Sequence, residues 1–86
     1  MIDIPTFTLD QINNAACMPK RCTEAGTAAS MDLPASVLRG LRLQNMGPEY
    51  SMQVNGTTVY ERRHVISWMY RHLRNDNAMN MKDVTA

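Results

Sequence analysis

The amino-acid sequence predicts one small domain that is mainly α-helical and carries a single β-hairpin. Three observations support this fold class. The chain has 86 residues, which is enough for one hydrophobic core. An Asn-Gly dipeptide separates two short β-prone runs, and the segment that follows has the apolar spacing of an amphipathic helix. Together these features predict helices packed on a two-stranded ribbon.

Four helices are predicted from apolar spacing and from residues typical of helix ends. Thr8 is expected to cap the first helix, and Pro19 follows its end. Pro34 suits the first turn of the third helix, and Asn45 can end that helix in a left-handed conformation. The predicted helices span residues 9–18, 24–31, 34–44 and 61–74.

Both long helices have a predicted buried face. The apolar stripe of the third helix consists of Val37, Leu38 and Leu41. That of the last helix consists of Val65, Trp68, Met69, His72 and Leu73. Tyr60 is also expected in the core, and Cys22 is expected to pack as a small apolar side chain.

The hairpin is predicted to consist of strands 50–54 and 57–60, joined by a two-residue loop at Asn55-Gly56. This loop pairs Val54 with Thr57 and puts Met52 opposite Val59. Two strands alone are marginal in water, so the ribbon is expected to pack on the helices.

The charge of the chain is unevenly distributed. The formal net charge is +1, but residues 34–74 contain six arginines against two glutamates, a balance of +4. A local basic face is typical of nucleic-acid binding, and an ordinary solvated surface is the alternative interpretation.

Several function classes are disfavoured by the composition. No run approaches the roughly 20 apolar residues of a membrane span, and the N-terminus lacks the pattern of a signal peptide. We therefore expect a cytoplasmic protein with reduced thiols. Cys17, Cys22, His64 and His72 lack metal-ligand spacing, and no catalytic constellation is evident. No enzyme activity, cofactor or metal is expected.

Four stretches, residues 23–31, 33–39, 45–50 and 60–69, together resemble the excisionase-type and MerR-like winged helix-turn-helix family. The third contains a Gly-Pro turn that leads to Tyr50, and the fourth leads from Tyr60 through two arginines to Trp68. The resemblance covers residues 22–69. Pro34 stands where the family often has Ser or Thr, so the helix cap is expected from Asp32 or elsewhere. Gly40 and Leu43 replace basic or polar residues of the family's recognition helix.

The resemblance implies a winged helix-turn-helix domain over residues 22–74, an N-terminal extension over 1–21 and a flexible tail over 75–86. It implies binding to double-stranded DNA, most simply as an excisionase (a recombination directionality factor) of a phage or mobile element. Such a protein would bend DNA, contact an integrase, and bind as a dimer or a cooperative array.

The candidate DNA contacts fall on three elements. They are Ala35, Ser36, Arg39 and Arg42 on the recognition helix, Gln53, Asn55, Gly56, Thr57 and Thr58 on the wing, and Arg62 and Arg63 after it. Arg39 is expected to contact guanine, and Arg42 to contact phosphate.

Two alternatives remain open. A small transcriptional repressor is one, and gene context separates the two roles: an adjacent integrase gene favours excision, while a divergent promoter favours repression. The other is a protein-interaction module, such as a phage inhibitor of a host protein. Residues 56–68 slightly resemble the hairpin-helix segment of U-box domains, and Leu43, Met79 and Met81 are then the contact candidates.

Overall fold

The computed structural model describes residues 4–74, and the predicted tail 75–86 lies outside the described residues. In chain order, the elements are α1 (Leu9–Ala15), β1 (Arg21–Thr23), α2 (Glu24–Ser30), α3 (Ala35–Leu43), β2 (Tyr50–Met52), β3 (Thr58–Glu61) and α4 (Arg62–Arg71). The strands form one antiparallel sheet in the order β1-β3-β2. This confirms the mainly α-helical class with a small β-hairpin. Within residues 4–74, no helix is long and apolar enough to cross a membrane.

Helix α1 begins as predicted and ends earlier than predicted. The Thr8 hydroxyl accepts a hydrogen bond from the Gln11 amide, and the Gln11 side-chain carbonyl accepts one from the Thr8 amide, which is a capping box. The helix stops at Ala15 because the next amides, of Cys17 and Met18, bond three residues back in a tight turn.

Strand β1 was not predicted, and it completes the sheet. It pairs with β3 so that Cys22 lies opposite Tyr60 and Thr23 opposite Val59. The sequence suggests only a basic link at residues 20–21, because a three-residue strand has no periodicity of its own. Its partner lies far along the chain. Thr23 also caps α2, as its side chain accepts a hydrogen bond from the Gly26 amide.

The turn between α2 and α3 is set by a residue in the left-handed conformation. Asp32 has φ 60°, and the amide of Leu33 bonds to the carbonyl of Ala28 at 2.9 Å, which closes a Schellman motif. The expectation that Asp32 caps α3 is wrong. Pro34 occupies the N-cap position without a side-chain hydrogen bond, and the Asp32 carboxylate accepts one from Gln11 at 3.4 Å instead.

Helix α3 ends as the sequence predicts. Asn45 has φ 56°, and the amide of Met46 bonds to the carbonyl of Leu41 at 2.9 Å. This second Schellman motif fixes where the chain leaves α3 and enters the Gly47-Pro48 turn. Leu38 and Leu41 are buried, while Val37 is partly buried against the core.

The hairpin differs from the prediction by one residue. Gly56 donates to the carbonyl of Gln53 at 2.9 Å, and the Gln53 amide donates to Thr57 at 2.9 Å. Gly56 alone in this loop has a positive φ, of 88°, whereas a two-residue type I′ loop needs positive φ at Asn55 as well. The loop is therefore a turn followed by a glycine bulge.

The bulge changes the strand register. Met52 pairs with Thr58, and Ser51 pairs with Val59, so the predicted pairing of Met52 with Val59 is wrong. Because directly opposed residues share a face of the sheet, Met52 and Thr58 point to one side together.

All four helices and β3 contribute to one core. Its buried members are Phe7, Ile12, Ala15, Met18, Ala28, Met31, Leu38, Leu41, Tyr60, Val65, Trp68 and Met69. The predicted burial of Tyr60, Val65, Trp68 and Met69 is confirmed. Helix α4 ends at Arg71, so His72 and Leu73 lie beyond it and are only partly buried.

The two ends of the described chain meet beside α4. The Phe7 amide donates to the carbonyl of His72 at 3.0 Å, and the Arg74 amide donates to that of Phe7 at 2.8 Å. The Phe7 ring packs edge-on against Trp68, with 5.5 Å between centroids. We call this contact the terminal clasp.

Replacing Gly56 tests the bulge. Gly56→Ala should lower the free energy of unfolding by about 1–2 kcal/mol, because this is the energetic cost of a left-handed backbone conformation for an L-residue. No neighbouring atom lies within 4 Å of the added Cβ, so a steric clash cannot be the cause. Urea denaturation measures the change.

Gly56→Asn is the matched control and should cost less, because asparagine tolerates positive φ. Equal stability of the wild type and Gly56→Ala would show that the turn has another conformation.

Candidate functional site

The exposed side of α3 forms a shallow groove with the start of α2 and the end of the hairpin. We call this the α3 groove. Its lining residues are Thr23, Glu24, Ala25, Ala35, Ser36, Arg39, Gly40, Leu43, Thr57 and Thr58. Five of the predicted contacts therefore lie together: Ala35, Ser36, Arg39, Thr57 and Thr58. The antiparallel pairing of β1 with β3 brings the start of α2 beside the hairpin and so closes one side of the groove.

Arg39 supplies the exposed positive charge of this groove. Its side chain forms no hydrogen bond or ion pair with another residue in the described part of the chain. The Ser36 hydroxyl, one turn earlier, is likewise exposed. Both groups are therefore available to a ligand at no cost to the packing of the domain.

Arg42 lies one turn after Arg39 and has a different environment. Its Nε donates to Glu24 Oε2 at 2.6 Å, and its Nη2 donates to Glu24 Oε1 at 3.2 Å. The Tyr60 hydroxyl donates to the same Oε2 at 3.0 Å. The Arg42 guanidinium also lies 5.8 Å above the ring of Tyr50. We call Glu24, Arg42 and Tyr60 the Glu24 triad.

The triad is shielded from water, since the Arg42 and Glu24 side chains are only 15% and 18% exposed. Burial acts to raise the pKa of Glu24, but the hydrogen bonds from Arg42 and Tyr60, together with the positive charges of Arg42 and Arg39, outweigh it and hold the pKa below the usual 4.5. Burial, together with the hydrogen bond to Glu24, raises the pKa of Tyr60 far above 10. The carboxylate therefore stays charged, and the phenol stays neutral.

The sequence predicts Arg42 as a phosphate contact, and the structure assigns its guanidinium an internal partner. Two donor nitrogens are used by Glu24, and the group is largely covered. We therefore leave Arg42 out of the proposed ligand contacts.

The hairpin tip is exposed and apolar rather than basic. Gln53 and Asn55 lie there beside Met52 and Val54. The side chain of Met52 is 57% exposed, and Val54 is fully exposed. Asn55 accepts a hydrogen bond from the Thr57 amide at 3.0 Å, so its side chain also shapes the turn.

Arg62 and Arg63 lie away from the α3 groove. With Lys20 they line a second depression whose floor includes Ala16 and Ile66. We call these three cations the basic cluster. Arg62 donates to the carbonyl of Met18 at 3.1 Å, while Arg63 contacts Glu61 at 3.2 Å and remains 76% exposed.

The histidines have structural neighbours. His64 lies 3.3 Å from the Glu49 carboxylate, and the His72 ring packs on Trp68 with 4.5 Å between centroids. Burial, with a smaller effect of the Arg71 charge, lowers the pKa of His72 below its usual 6.5. Among residues 4–74, no three His, Cys, Asp or Glu side chains are grouped to hold a metal ion.

Sequence reasoning missed residues that fold onto these surfaces from earlier in the chain. The pairing of β1 with β3 brings Thr23, Glu24 and Ala25 to the α3 groove. Lys20 lies beside Arg62 in the basic cluster because its carbonyl accepts a hydrogen bond from the Arg62 amide at 2.8 Å. Each depends on a pairing between distant parts of the chain, which no local pattern indicates.

Comparisons with protein-family models, with curated proteins and with solved structures give no match for this chain.

Removing the central carboxylate tests the importance of the Glu24 triad. Glu24→Ala should destabilise the protein by about 3–5 kcal/mol, because it leaves a largely buried guanidinium and a buried hydroxyl without an acceptor. Chemical denaturation measures this change. Glu61→Ala, which removes the partner of the exposed Arg63, is the control and should cost less than about 1 kcal/mol. Similar costs for both variants would contradict a central role of the triad.

The free energy of unfolding should fall in two separate pH ranges as the solution is made more acidic. The lowered pKa of His72 means that the unfolded chain binds more protons, so stability should fall as pH drops through 6.5. The contribution of Glu24 is present above its unfolded value of 4.5 and should be lost as pH falls further. Urea denaturation at successive pH values measures both losses.

Two variants identify the group responsible for each loss of stability. His72→Gln should remove the loss near pH 6.5, and Glu24→Gln should remove the loss below pH 4.5. A slope near pH 6.5 that persists in His72→Gln would show that another group is responsible.

Proposed function

We propose that this protein binds double-stranded DNA as a winged helix-turn-helix, with α3 in the major groove and the β2–β3 hairpin as the wing. The observation that carries the proposal is the exposed face of α3. Arg39 and Ser36 project there beside the hairpin and make no side-chain contact that the fold requires. An uncommitted guanidinium on a surface helix, flanked by hydroxyls, suits hydrogen bonding to base edges.

The dimensions of the elements are consistent with this use. Helix α3 has nine residues and is therefore roughly 13 Å long. A major groove about 12 Å wide accepts one α-helix. The helix pair α2–α3, followed by the hairpin, is also the arrangement that the family resemblance implies.

The basic cluster supplies the phosphate contacts in this proposal. Thr58 and Glu61 lie at the two ends of β3, roughly 10 Å apart at the usual strand rise. Arg62 and Arg63 follow Glu61 directly, at the end of β3 that is away from Thr58 and the α3 groove. In this proposal, Lys20 and Arg63 contact the DNA backbone that flanks the groove occupied by α3, which positions the protein without reading sequence.

Within DNA binding, we propose a recombination directionality factor of a phage or mobile element that acts with an integrase. A domain with one short reading helix contacts few base pairs, so binding as a dimer or a cooperative array is part of the proposal. A small transcriptional repressor is the alternative role. An excision assay with the integrase encoded beside the gene separates the two.

Protein binding is the second candidate function, and a specific observation favours it. Leu43 and Met52 are 64% and 57% exposed, and Val54 is fully exposed. Met52 and Val54 line the same depression at the hairpin tip. Large exposed apolar groups that form a patch are typical of protein contacts. A binding partner whose affinity depends on these three residues would favour this candidate. So would the finding that the folded protein has no affinity for DNA.

Gel-shift titration of duplex DNA from the region flanking the gene, at several salt concentrations, tests the main proposal. Arg39→Ala should weaken specific binding by about 1–3 kcal/mol and relax sequence preference. Arg63→Ala should weaken binding to all sequences alike and reduce the salt slope by about 1.

Arg71→Ala is the matched control, because Arg71 is an exposed arginine at the end of α4, outside both surfaces. It should bind like the wild type. A folded protein that does not bind, or binds without salt dependence, would overturn the proposal.

A further inference from the structure

The α3 groove combines one cation with an unusual number of methyl groups. Arg39 lies among Ala25, Ala35 and Leu43, and the two threonines of the hairpin add their own methyls. We infer that the groove reads a guanine flanked by thymines, with Arg39 on the guanine and with Ala35 and Leu43 against thymine methyl groups. This inference rests on the proposed DNA-binding function and specifies its substrate.

The spacing of these residues along α3 supports contacts with neighbouring base pairs. Ala35, Arg39 and Leu43 are each four residues apart, so they form one row along the exposed face of α3. The row is roughly 12 Å long at the rise of an α-helix, which matches three to four base-pair steps. Each neighbour of Arg39 is therefore within about two steps of the base that Arg39 contacts.

The chemistry of the row selects particular bases. Within the major groove, guanine presents two acceptors that match the guanidinium fork, and thymine alone among the four bases presents a methyl group. Leu43 is 64% exposed and belongs to no part of the core, so its burial against a thymine methyl costs the fold nothing.

The charged acceptor in the groove is already occupied. Cytosine is read by a carboxylate that accepts from its amino group. The carboxylate in the groove is that of Glu24, and its two oxygens accept three hydrogen bonds from Arg42 and Tyr60. The groove therefore offers cytosine no charged acceptor, whereas guanine matches Arg39 and thymine matches the apolar groups of Ala35 and Leu43.

Selection of binding sites from a random duplex library, followed by base analogues in the selected site, tests the inference. The selected core should contain guanine with thymine within two steps. Replacing the contacted thymine by deoxyuridine removes only the 5-methyl group and should weaken binding about four-fold, the equivalent of ~0.8 kcal/mol per buried carbon. Replacing the guanine by 7-deazaguanine removes one acceptor of Arg39 and should weaken binding about ten-fold.

Two variants assign the methyl contact. At the thymine on the Leu43 side of the guanine, Leu43→Ala should bind the thymine and deoxyuridine sites with nearly equal affinity, because the partner of that methyl group is gone. Leu9→Ala removes an exposed leucine of α1, outside the groove, and should retain the four-fold difference.

The outcomes separate this inference from the proposed function. Absence of any enriched site and of any duplex binding would overturn both. Binding with a selected core that lacks thymine, or that tolerates deoxyuridine, would overturn the inference and leave DNA binding intact. If deoxyuridine still weakens binding of Leu43→Ala at that position, Leu43 is not the residue that contacts the thymine methyl group.

Discussion

The Glu24 carboxylate is the group on which the arrangement of the candidate site depends. It accepts hydrogen bonds from α3 through Arg42 and from β3 through Tyr60, while its own backbone begins α2. A partly buried charge is stable only if its partners stay in place, so this carboxylate holds three elements in one relative orientation. The α3 groove is the space between those same three elements, and its shape follows from this contact.

Because of the Glu24 triad, the two arginines of α3 have different environments. Arg42 turns inward and neutralises Glu24, whereas Arg39 keeps its donors for solvent or a ligand. A small domain with a limited core benefits from such a polar connection, which adds to the apolar contacts that Ala28, Leu38 and Tyr60 make in the shared core. Arg39 is therefore the exposed cation of the groove, and Lys20, Arg62 and Arg63 form the separate basic cluster.

The sequence predicted the features that depend on local chemistry. The cap at Thr8, the left-handed Asn45 and the burial of Val65, Trp68 and Met69 on α4 all follow from short-range patterns, and each is present. Features that depend on distant partners were not predictable: β1 exists because β3 pairs with it, and Arg42 is internal because folding brings Glu24 beside it. The hairpin register failed for a local reason, since an Asn-Gly pair serves both a two-residue loop and a turn with a glycine bulge.

The terminal clasp has a consequence for the order in which the domain opens. It joins Phe7 to Leu73, from opposite ends of the described chain, through a single isolated bridge. Closing so long a loop costs more chain entropy than forming the α2–α3 turn or the hairpin, and two backbone hydrogen bonds together with the fully buried Phe7 ring offset that cost. Opening of the clasp would therefore expose the Phe7 ring and the indole of Trp68, so a disturbance at either end of the described chain reaches the core directly.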